Sequence, residues 1–193
     1  MRSTMTAATQ TLRNGVDTAA LAQTIGAVKD NPDLAKVTFA VDSQWLTGCH
    51  QRAHTGRLRQ NGVEVPSGHA GYVLDSDEPV ALLGSDRAAS PGEYVLQALA
   101  GCYAVSFATH AAKRGIELDS LRLELEVDFD LQGFLEVDDT VRPGAQEIRV
   151  VVHATSSNAD DAQLRHLTDV VQRRSPIRDT LASPVRVVTT LAG

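Results

Sequence analysis

Residues 90–102 read SPGEYVLQALAGC, and this stretch decides the fold. Serine followed by proline and, three residues on, by glutamate is typical of a capping box, in which Ser90 and Glu93 bind each other's backbone N–H groups at a helix start. The positions that follow are apolar nearly all round through Ala108 and then polar at His110, Lys113 and Arg114, before Gly115, a residue type that commonly ends helices. We therefore predict a helix over 91–114 that is buried on most sides.

On the N-terminal side of this helix, the pattern predicts a short helix and then a β-meander. Apolar residues recur at helical spacing over 17–29, and Asn31-Pro32 ends the run. Apolar and polar residues then alternate from Val37 onward, and Asn61-Gly62 is typical of the two-residue turn of a β-hairpin.

On the C-terminal side, the periodicity predicts two strands, a helix and a last strand. Every odd position over 121–131 is apolar and every even one is charged, as in a strand with one exposed face. A second strand covers 148–152, a helix covers 160–174 until Ser175-Pro176 breaks it, and after a short turn 185–191 forms the last strand. Because these strands and helices do not alternate regularly, the order predicts an α+β domain.

Length and charge limit the function classes. With 193 residues and 42% hydrophobic content, the chain can bury a core without disulfides or a structural metal. Its 18 Lys and Arg against 24 Asp and Glu give a formal charge of −6, which argues against a nucleic-acid partner. We expect no membrane segment and no secretory leader, hence a cytoplasmic protein whose two cysteines are reduced.

Cys102 is the first candidate for chemistry, although its neighbours favour an inert role. A cysteine among Ala, Leu and Phe side chains usually packs as a small hydrophobe. A reactive thiol needs a cation or a helix N-terminus to favour its thiolate, and Cys102 lies about three turns into the predicted helix. A group outside this helix would therefore have to activate the sulfur.

Four segments together resemble the OsmC/Ohr family. They are Asp77-Glu78-Pro79, the stretch 90–102, His110-Ala111-Ala112-Lys113-Arg114-Gly115, and Ser175-Pro176-Ile177, which falls where that family commonly has Cys-Pro-Val. With the β-α-β-β-α-β order, the resemblance covers about residues 36–191. It implies an OsmC-like domain over 36–193, with antiparallel β-sheets around a buried central helix, and leaves 1–35 as an N-terminal extension with an extra helix.

The resemblance also implies an intertwined homodimer, with the Cys102 helix at its core and the active site at the subunit interface. In active family members the first cysteine attacks an organic hydroperoxide, and a second cysteine resolves the resulting sulfenic acid as a disulfide. An Arg-Glu pair orients the peroxide and favours the thiolate. Cys102 matches the first cysteine, and we expect no cofactor.

The second cysteine is the largest departure from the family pattern, because Ser175 occupies its position. A hydroxyl cannot form a disulfide, so a peroxidase of this kind would follow a one-cysteine cycle. In that cycle an external thiol reduces the sulfenate, or the cysteine over-oxidises. The alternative is a disulfide with Cys49, the remaining thiol of the chain.

The acid of the family is displaced by one residue. It usually follows the proline directly, where this chain has Gly92, and Glu93 lies one position on. A shift of one residue turns a helical side chain by about 100°, so Glu93 need not face the thiol. Its capping role with Ser90 explains Glu93 without catalysis.

The arginine also lacks a direct equivalent. None occupies 72–78, where some family members carry it, so Arg52, Arg57 and Arg87 are the substitutes. Sequence alone does not choose among them. Arg52 lies on what reads as an inward-facing strand, and it joins Cys102 and Glu93 as a candidate site residue.

A metal site is only weakly indicated. Cys49, His50 and His54 carry the thiolate and imidazole groups that suit zinc. They lack the paired spacing of a zinc ribbon or finger, so we predict no metal.

Two functions of different classes follow. The first is a thiol-dependent enzyme related to organic hydroperoxide reductases, with Cys102 as nucleophile and a role in defence against oxidative stress. The second is an OsmC-like scaffold that has lost peroxidase chemistry and binds a small apolar ligand at the dimer interface, as the changes at Ser175, Gly92 and the arginine suggest. Acyl or sulfur transfer by Cys102 also stays open, although no base lies at a fixed spacing.

Overall fold

The computed structural model describes residues 12–66 and 71–193, so residues 1–11 of the predicted extension lie outside the described residues. The helices are α1 Thr18–Asp30, α2 Pro91–Arg114, α3 Leu131–Phe134, α4 Asp161–Arg174 and α5 Pro176–Ala182. The strands are β1 Leu12–Arg13, β2 Val16–Asp17, β3 Val37–Thr38, β4 Val41–Thr47, β5 His50–Thr55, β6 Arg59–Gln60, β7 Val63–Glu64, β8 Val73–Ser76, β9 Ser120–Asp128 and β10 Glu147–Thr155. Antiparallel sheets combined with helices confirm the predicted α+β class.

The contacts divide the chain into two units, and each is treated by itself. The first unit holds Leu96–Gly193 with the described part of Met1–Thr18, and the second holds Ala19–Val95. Helix α1 forms where the sequence predicts a helix. The domain boundary at residue 35 stays a prediction.

The core of the first unit forms on one face of α2. Buried side chains recur every four residues along that helix, at Leu99, Tyr103, Phe107 and Ala111. They pack against Leu167 and Val171 of α4 and against the inward face of the β9–β10 sheet, which contributes Leu121, Leu123, Leu125, Ile148, Val150 and Val152. The two strands are antiparallel and their other face is largely charged, so the predicted alternation is confirmed over both.

Helix α2 is buried on one face only, so the prediction that it is buried on most sides is wrong for the single chain. Gly101, Ala104 and Val105 are exposed, Val105 to 67%. The reason is that α4 and the β9–β10 sheet pack against the opposite face. The length and composition of α2 would also suit a membrane-spanning helix, which is weak evidence because core helices of soluble proteins meet the same criteria.

The second unit contains two three-stranded antiparallel sheets. Their strand orders are β4-β5-β8 and β3-β6-β7. The predicted hairpin forms between β6 and β7. Its turn residues Asn61 and Gly62 have φ values of 48° and 79°, as the favoured two-residue hairpin turn requires.

Asp77 organises the loop that leads from β8 to α2. Its buried carboxylate accepts hydrogen bonds from the backbone N–H groups of Glu78 (2.9 Å), Ser85 (3.2 Å) and Arg87 (3.3 Å). Burial acts to raise the pKa of Asp77, but the three N–H donors and the charge of His50 outweigh it and hold the pKa below its ordinary value. The loop is therefore built around an ionised carboxylate.

The predicted last strand over 185–191 is wrong. These residues have no regular structure, and Leu191 is 99% exposed. A strand is stable only when a neighbouring strand takes up its backbone hydrogen bonds, and no strand of the described chain pairs with this segment.

Two element boundaries also differ from the predictions. Strand β9 ends at Asp128 rather than at residue 131, because the side chain of Asp130 caps α3 by accepting from a backbone N–H group. The short turn predicted after Ser175 is instead helix α5, since Ser175 caps it and Pro176 stands at its first position.

We expect Asp77→Asn to weaken the pH dependence of stability. A carboxylate whose folded pKa is depressed stabilises the fold above its unfolded pKa of about 3.9, and this contribution is lost as pH falls through the folded value. The wild-type unfolding midpoint should therefore fall steeply below about pH 4, whereas the variant, already less stable at neutral pH, should change less. Thermal melts followed by circular dichroism at a series of pH values measure both.

The matched control is Asp86→Asn, which alters an exposed carboxylate in the same loop. This variant should melt as the wild type does at every pH. Parallel curves for the wild type and Asp77→Asn would contradict the assigned role of the buried carboxylate.

Candidate functional site

Cys102 and Ser175 are in contact within the first unit. The Ser175 hydroxyl donates a hydrogen bond to the Cys102 sulfur, with Oγ and Sγ 3.1 Å apart across 73 residues of sequence. Ser175 is 1% exposed, whereas Cys102 is half-buried. The structure thus brings together the two positions that the family resemblance pairs, and leaves Cys102 partly exposed.

The junction between α4 and α5 places Ser175. Its backbone N–H donates to the Val171 carbonyl (2.8 Å), which completes the last turn of α4. Its Oγ accepts from the backbone N–H of Arg178 (3.3 Å), as the N-cap of α5. The hydroxyl therefore accepts one hydrogen bond from α5 and donates its own proton toward Cys102.

Two further residues adjoin this site: Tyr103 follows Cys102 on α2, and Arg178 binds Ser175 through its backbone. Burial raises the pKa of the Tyr103 phenol, which follows Cys102 directly on α2. The positive charge of Arg178 acts to lower that pKa, and Cys102 acts to raise it. Arg178 and Cys102 therefore lie within electrostatic range of the same buried phenol.

Neither Tyr103 nor Arg178 is among the residues that the sequence predicts for the site. Tyr103 belongs to the apolar series of α2 and reads there as a core residue. Arg178 lies outside the stretch where the resemblance places an arginine. The signal that could have identified it is its spacing, because the third residue after an N-cap serine donates its backbone N–H to that serine.

Glu93 has a capping role in the second unit. Its carboxylate accepts from the Ser90 backbone N–H (2.7 Å), and the Ser90 Oγ accepts from the Glu93 N–H (3.2 Å). These bonds to Ser90 hold the pKa of Glu93 below its ordinary value. The predicted capping box is therefore present at the start of α2.

Arg52 is engaged with a carboxylate of its own sheet. Its Nε and Nη2 atoms donate to the two oxygens of Asp75, each at 2.7 Å. The hydrogen bonds from Arg52 hold the pKa of Asp75 below its ordinary value. The other two candidate arginines also have partners. The Nη1 atom of Arg57 lies 3.4 Å from the Oε2 atom of Glu64, and the backbone N–H of Arg87 donates to the Asp77 carboxylate.

Cys49 lies in the second unit, in the turn between β4 and β5. Its exposed Sγ is 3.7 Å from the carbonyl oxygen of Leu83. Both cysteines are free thiols. Among residues 12–66 and 71–193, no group of three or more His, Cys, Asp or Glu side chains is placed to hold a metal ion.

The arrangement in the first unit suits thiol chemistry. An O–H donor aimed at sulfur stabilises negative charge on it, because hydrogen bonds to an ionised acceptor are stronger than those between neutral groups. The same hydroxyl cannot be oxidised to a disulfide with Cys102. A product of oxidation would therefore remain on Cys102 as an oxygenated sulfur until another thiol reached it.

A family model described as OsmC-like protein matches residues 84–190, which include Cys102, Ser175 and Arg178. None of the curated proteins matches the sequence.

Three solved structures illustrate the likeness in fold. An OsmC like protein from Mycoplasma pneumoniae has 15% identity, with 75% of this chain and 87% of that chain covered and a TM-score of 0.57. An OsmC-like protein of unknown function from Vibrio cholerae has 11% identity, coverages of 74% and 92% and a TM-score of 0.57. An organic hydroperoxide resistance protein from Legionella pneumophila has 17% identity, coverages of 75% and 88% and a TM-score of 0.52. At these identities the likeness concerns the fold alone.

We expect Ser175→Cys to form a disulfide with Cys102 on mild oxidation. The 3.1 Å contact leaves only a small side-chain adjustment before two sulfur atoms at these positions reach the bond length of about 2.05 Å. Non-reducing peptide mapping should identify the bridge, and thiol titration should find one free thiol, that of Cys49.

The matched control is Ser183→Cys, which places a thiol at the opposite end of α5. Under the same oxidation it should leave Cys102 unbridged within the chain. Equal amounts of intramolecular bridging in the two variants, or none in Ser175→Cys, would contradict the contact.

Proposed function

The chain belongs to the OsmC-like protein family, and from that premise we propose that it reduces organic hydroperoxides with Cys102 as its single reacting thiol. The observation that carries the proposal is the hydrogen bond from buried Ser175 to the sulfur of half-buried Cys102. It supplies a partly exposed cysteine with a donor that favours the thiolate. The organic hydroperoxide resistance protein of Legionella pneumophila, which shares the fold, supports the choice of oxidant.

The proposed reaction proceeds in two stages. The Cys102 thiolate attacks the distal peroxide oxygen, the O–O bond breaks, and the alkoxide leaves and takes a proton to become an alcohol. Sulfur is oxidised by two electrons to a sulfenic acid. One external thiol then displaces water to give a mixed disulfide, and a second thiol releases reduced Cys102 as the two external sulfurs join in a disulfide.

Ser175 supports an external rather than an internal reductant. In a two-cysteine cycle the neighbouring sulfur captures the sulfenic acid, and here a hydroxyl holds that position at 3.1 Å. The external thiol would reach Cys102 from its accessible side. We place this cycle in the cytoplasm, where such thiols are abundant and reduced.

We also propose that the protein acts as a homodimer built on the exposed face of α2. Gly101, Ala104 and Val105 form an apolar surface of small side chains beside Cys102, and Val105 is 67% exposed. Small residues let two backbones approach closely, so a second copy of α2 fits this surface. The partner would then complete the surroundings of the thiol.

We expect brief exposure of the reduced protein to an organic hydroperoxide to oxidise Cys102 stoichiometrically. Intact mass should increase by one oxygen, or by two where over-oxidation follows, and added thiol should reverse only the first. Cys49→Ser should react as the wild type does, and Cys102→Ser should not gain this modification.

An internal bridge between Cys49 and Cys102 would appear instead as a loss of two hydrogens, and it would replace the external reductant in the cycle. An unmodified Cys102 would contradict the peroxidase. That result would favour the second candidate, a scaffold that binds a small apolar ligand, for which the engagement of Glu93 with Ser90 and of Arg52 with Asp75 is the supporting observation.

We expect Val105→Glu to convert the dimer to a monomer. Burying an unpaired carboxylate between two helices costs far more than the apolar contact contributes. Light scattering coupled to size-exclusion chromatography measures the mass. Val151→Glu, at a 52% exposed position on the charged face of β10, is the control and should remain dimeric. A wild-type monomer, or a dimeric Val105→Glu, would contradict this interface.

A further inference from the structure

Arg178 is a half-buried cation. Its guanidinium forms no ion pair within 4.0 Å anywhere in residues 12–66 and 71–193, where Arg52 and Arg57 each have one and Arg149 has three. The remaining ranges, 1–11 and 67–70, contain no aspartate or glutamate. Its charge is therefore not neutralised by a neighbouring acid and can act on another anion.

The backbone fixes Arg178 beside the Cys102 site. Its N–H donates to the Ser175 Oγ (3.3 Å), and the same Oγ donates to the Cys102 Sγ (3.1 Å). The backbone of Arg178 is therefore hydrogen-bonded to the same hydroxyl that contacts the sulfur. Because Ser175 is 1% exposed and bonded on both sides, this part of α5 has little freedom to move relative to α2.

The charge of Arg178 also acts on the Tyr103 phenol. Arg178 lowers the pKa of this phenol, which lies in the core next to Cys102, and Cys102 raises it. The two hydrogen bonds already place the backbone of Arg178 close to the Cys102 sulfur, and the effect of its charge on Tyr103, the next residue along α2, agrees with that placement.

We propose that Arg178 supplies the positive charge of the Cys102 site, where it favours the thiolate and draws anionic reagents to the sulfur. This inference deepens the proposed function, since it takes Cys102 as the reacting atom. Arg52 is the candidate that the sequence offers for this positive charge, but Arg52 forms an ion pair with Asp75. The charge is assigned to the first turn of α5 instead. The hydrogen-bond donor Ser175 and the cation Arg178 then belong to one four-residue segment, 175–178.

The test compares two alkylating agents that differ in charge, in a Cys49→Ser background where Cys102 is the only thiol. Iodoacetate is anionic and iodoacetamide is neutral, so the ratio of their rate constants reports the local charge rather than accessibility. We expect Arg178→Gln to lower this ratio by about two- to fivefold, and Arg178→Lys to retain most of it. A change in packing alone would slow both reagents together and leave the ratio unchanged.

Arg165→Gln on α4 is the matched control, because it removes the same charge from an exposed position of the same unit. It should leave the ratio within error of the parent protein. If Arg178→Gln fails to fold, Arg178→Met, which keeps most of the aliphatic side chain, replaces it. A ratio that does not respond to removal of the Arg178 charge would overturn the inference, as would an equal response to Arg165→Gln.

The outcome is separable from that of the peroxide experiment, because alkylation requires no peroxide. A Cys102 that ignores hydroperoxides while its alkylation ratio depends on Arg178 would overturn the proposed function and leave this inference standing. A Cys102 that is oxidised by hydroperoxides while its ratio is insensitive to Arg178 would do the reverse.

Discussion

The packing of α2 against the junction of α4 and α5 is the constraint on which the site depends. Leu167 and Val171 of α4 are fully buried against the face of α2 that carries Tyr103 and Phe107. Because Ser175 closes the last turn of α4, this apolar packing also fixes its hydroxyl at the Cys102 sulfur. The hydrophobic packing of α4 on α2 thereby holds the Ser175–Cys102 hydrogen bond in place, and this hydrogen bond is what affects the chemistry of the site.

The chemistry of the site depends on its having one cysteine, Cys102, and a serine where a second cysteine would stand. A serine at the contacting position keeps a donor beside the thiol and removes the internal electron source that a second cysteine would provide. In the proposed cycle, the site would hold negative charge on Cys102 and take its reducing electrons from an external thiol. The proposed role of Arg178 fits this cycle, because Arg178 lies in the turn that Ser175 caps and forms no ion pair with an acid among residues 12–66 and 71–193.

Local signals predicted most of the fold and less of the site. The capping box at Ser90, the Asn61-Gly62 turn and the alternation in β9 identified their elements because each depends on neighbouring residues only. The alternation continued past Asp128 without showing where strand pairing stops. The apolar segment 185–191 looked like a strand, although no strand within residues 12–66 and 71–193 pairs with it.

The site was predictable only where a motif marked it. Cys102 and Ser175 were found through the family resemblance, whereas Arg178 required knowledge that a helix begins at Pro176 and that its first turn meets α2. Burial of α2 was overestimated for a related reason, since the apolar face around Val105 is exposed in one chain. The most direct test of the central contact is the infrared S–H stretching band of Cys102, recorded at a pH low enough to keep the thiol protonated, for the reduced protein and for Ser175→Ala, with Cys102→Ser to identify the band. The account predicts that the Cys102 band shifts when the hydroxyl is removed while the Cys49 band does not, and an unchanged Cys102 band would contradict it.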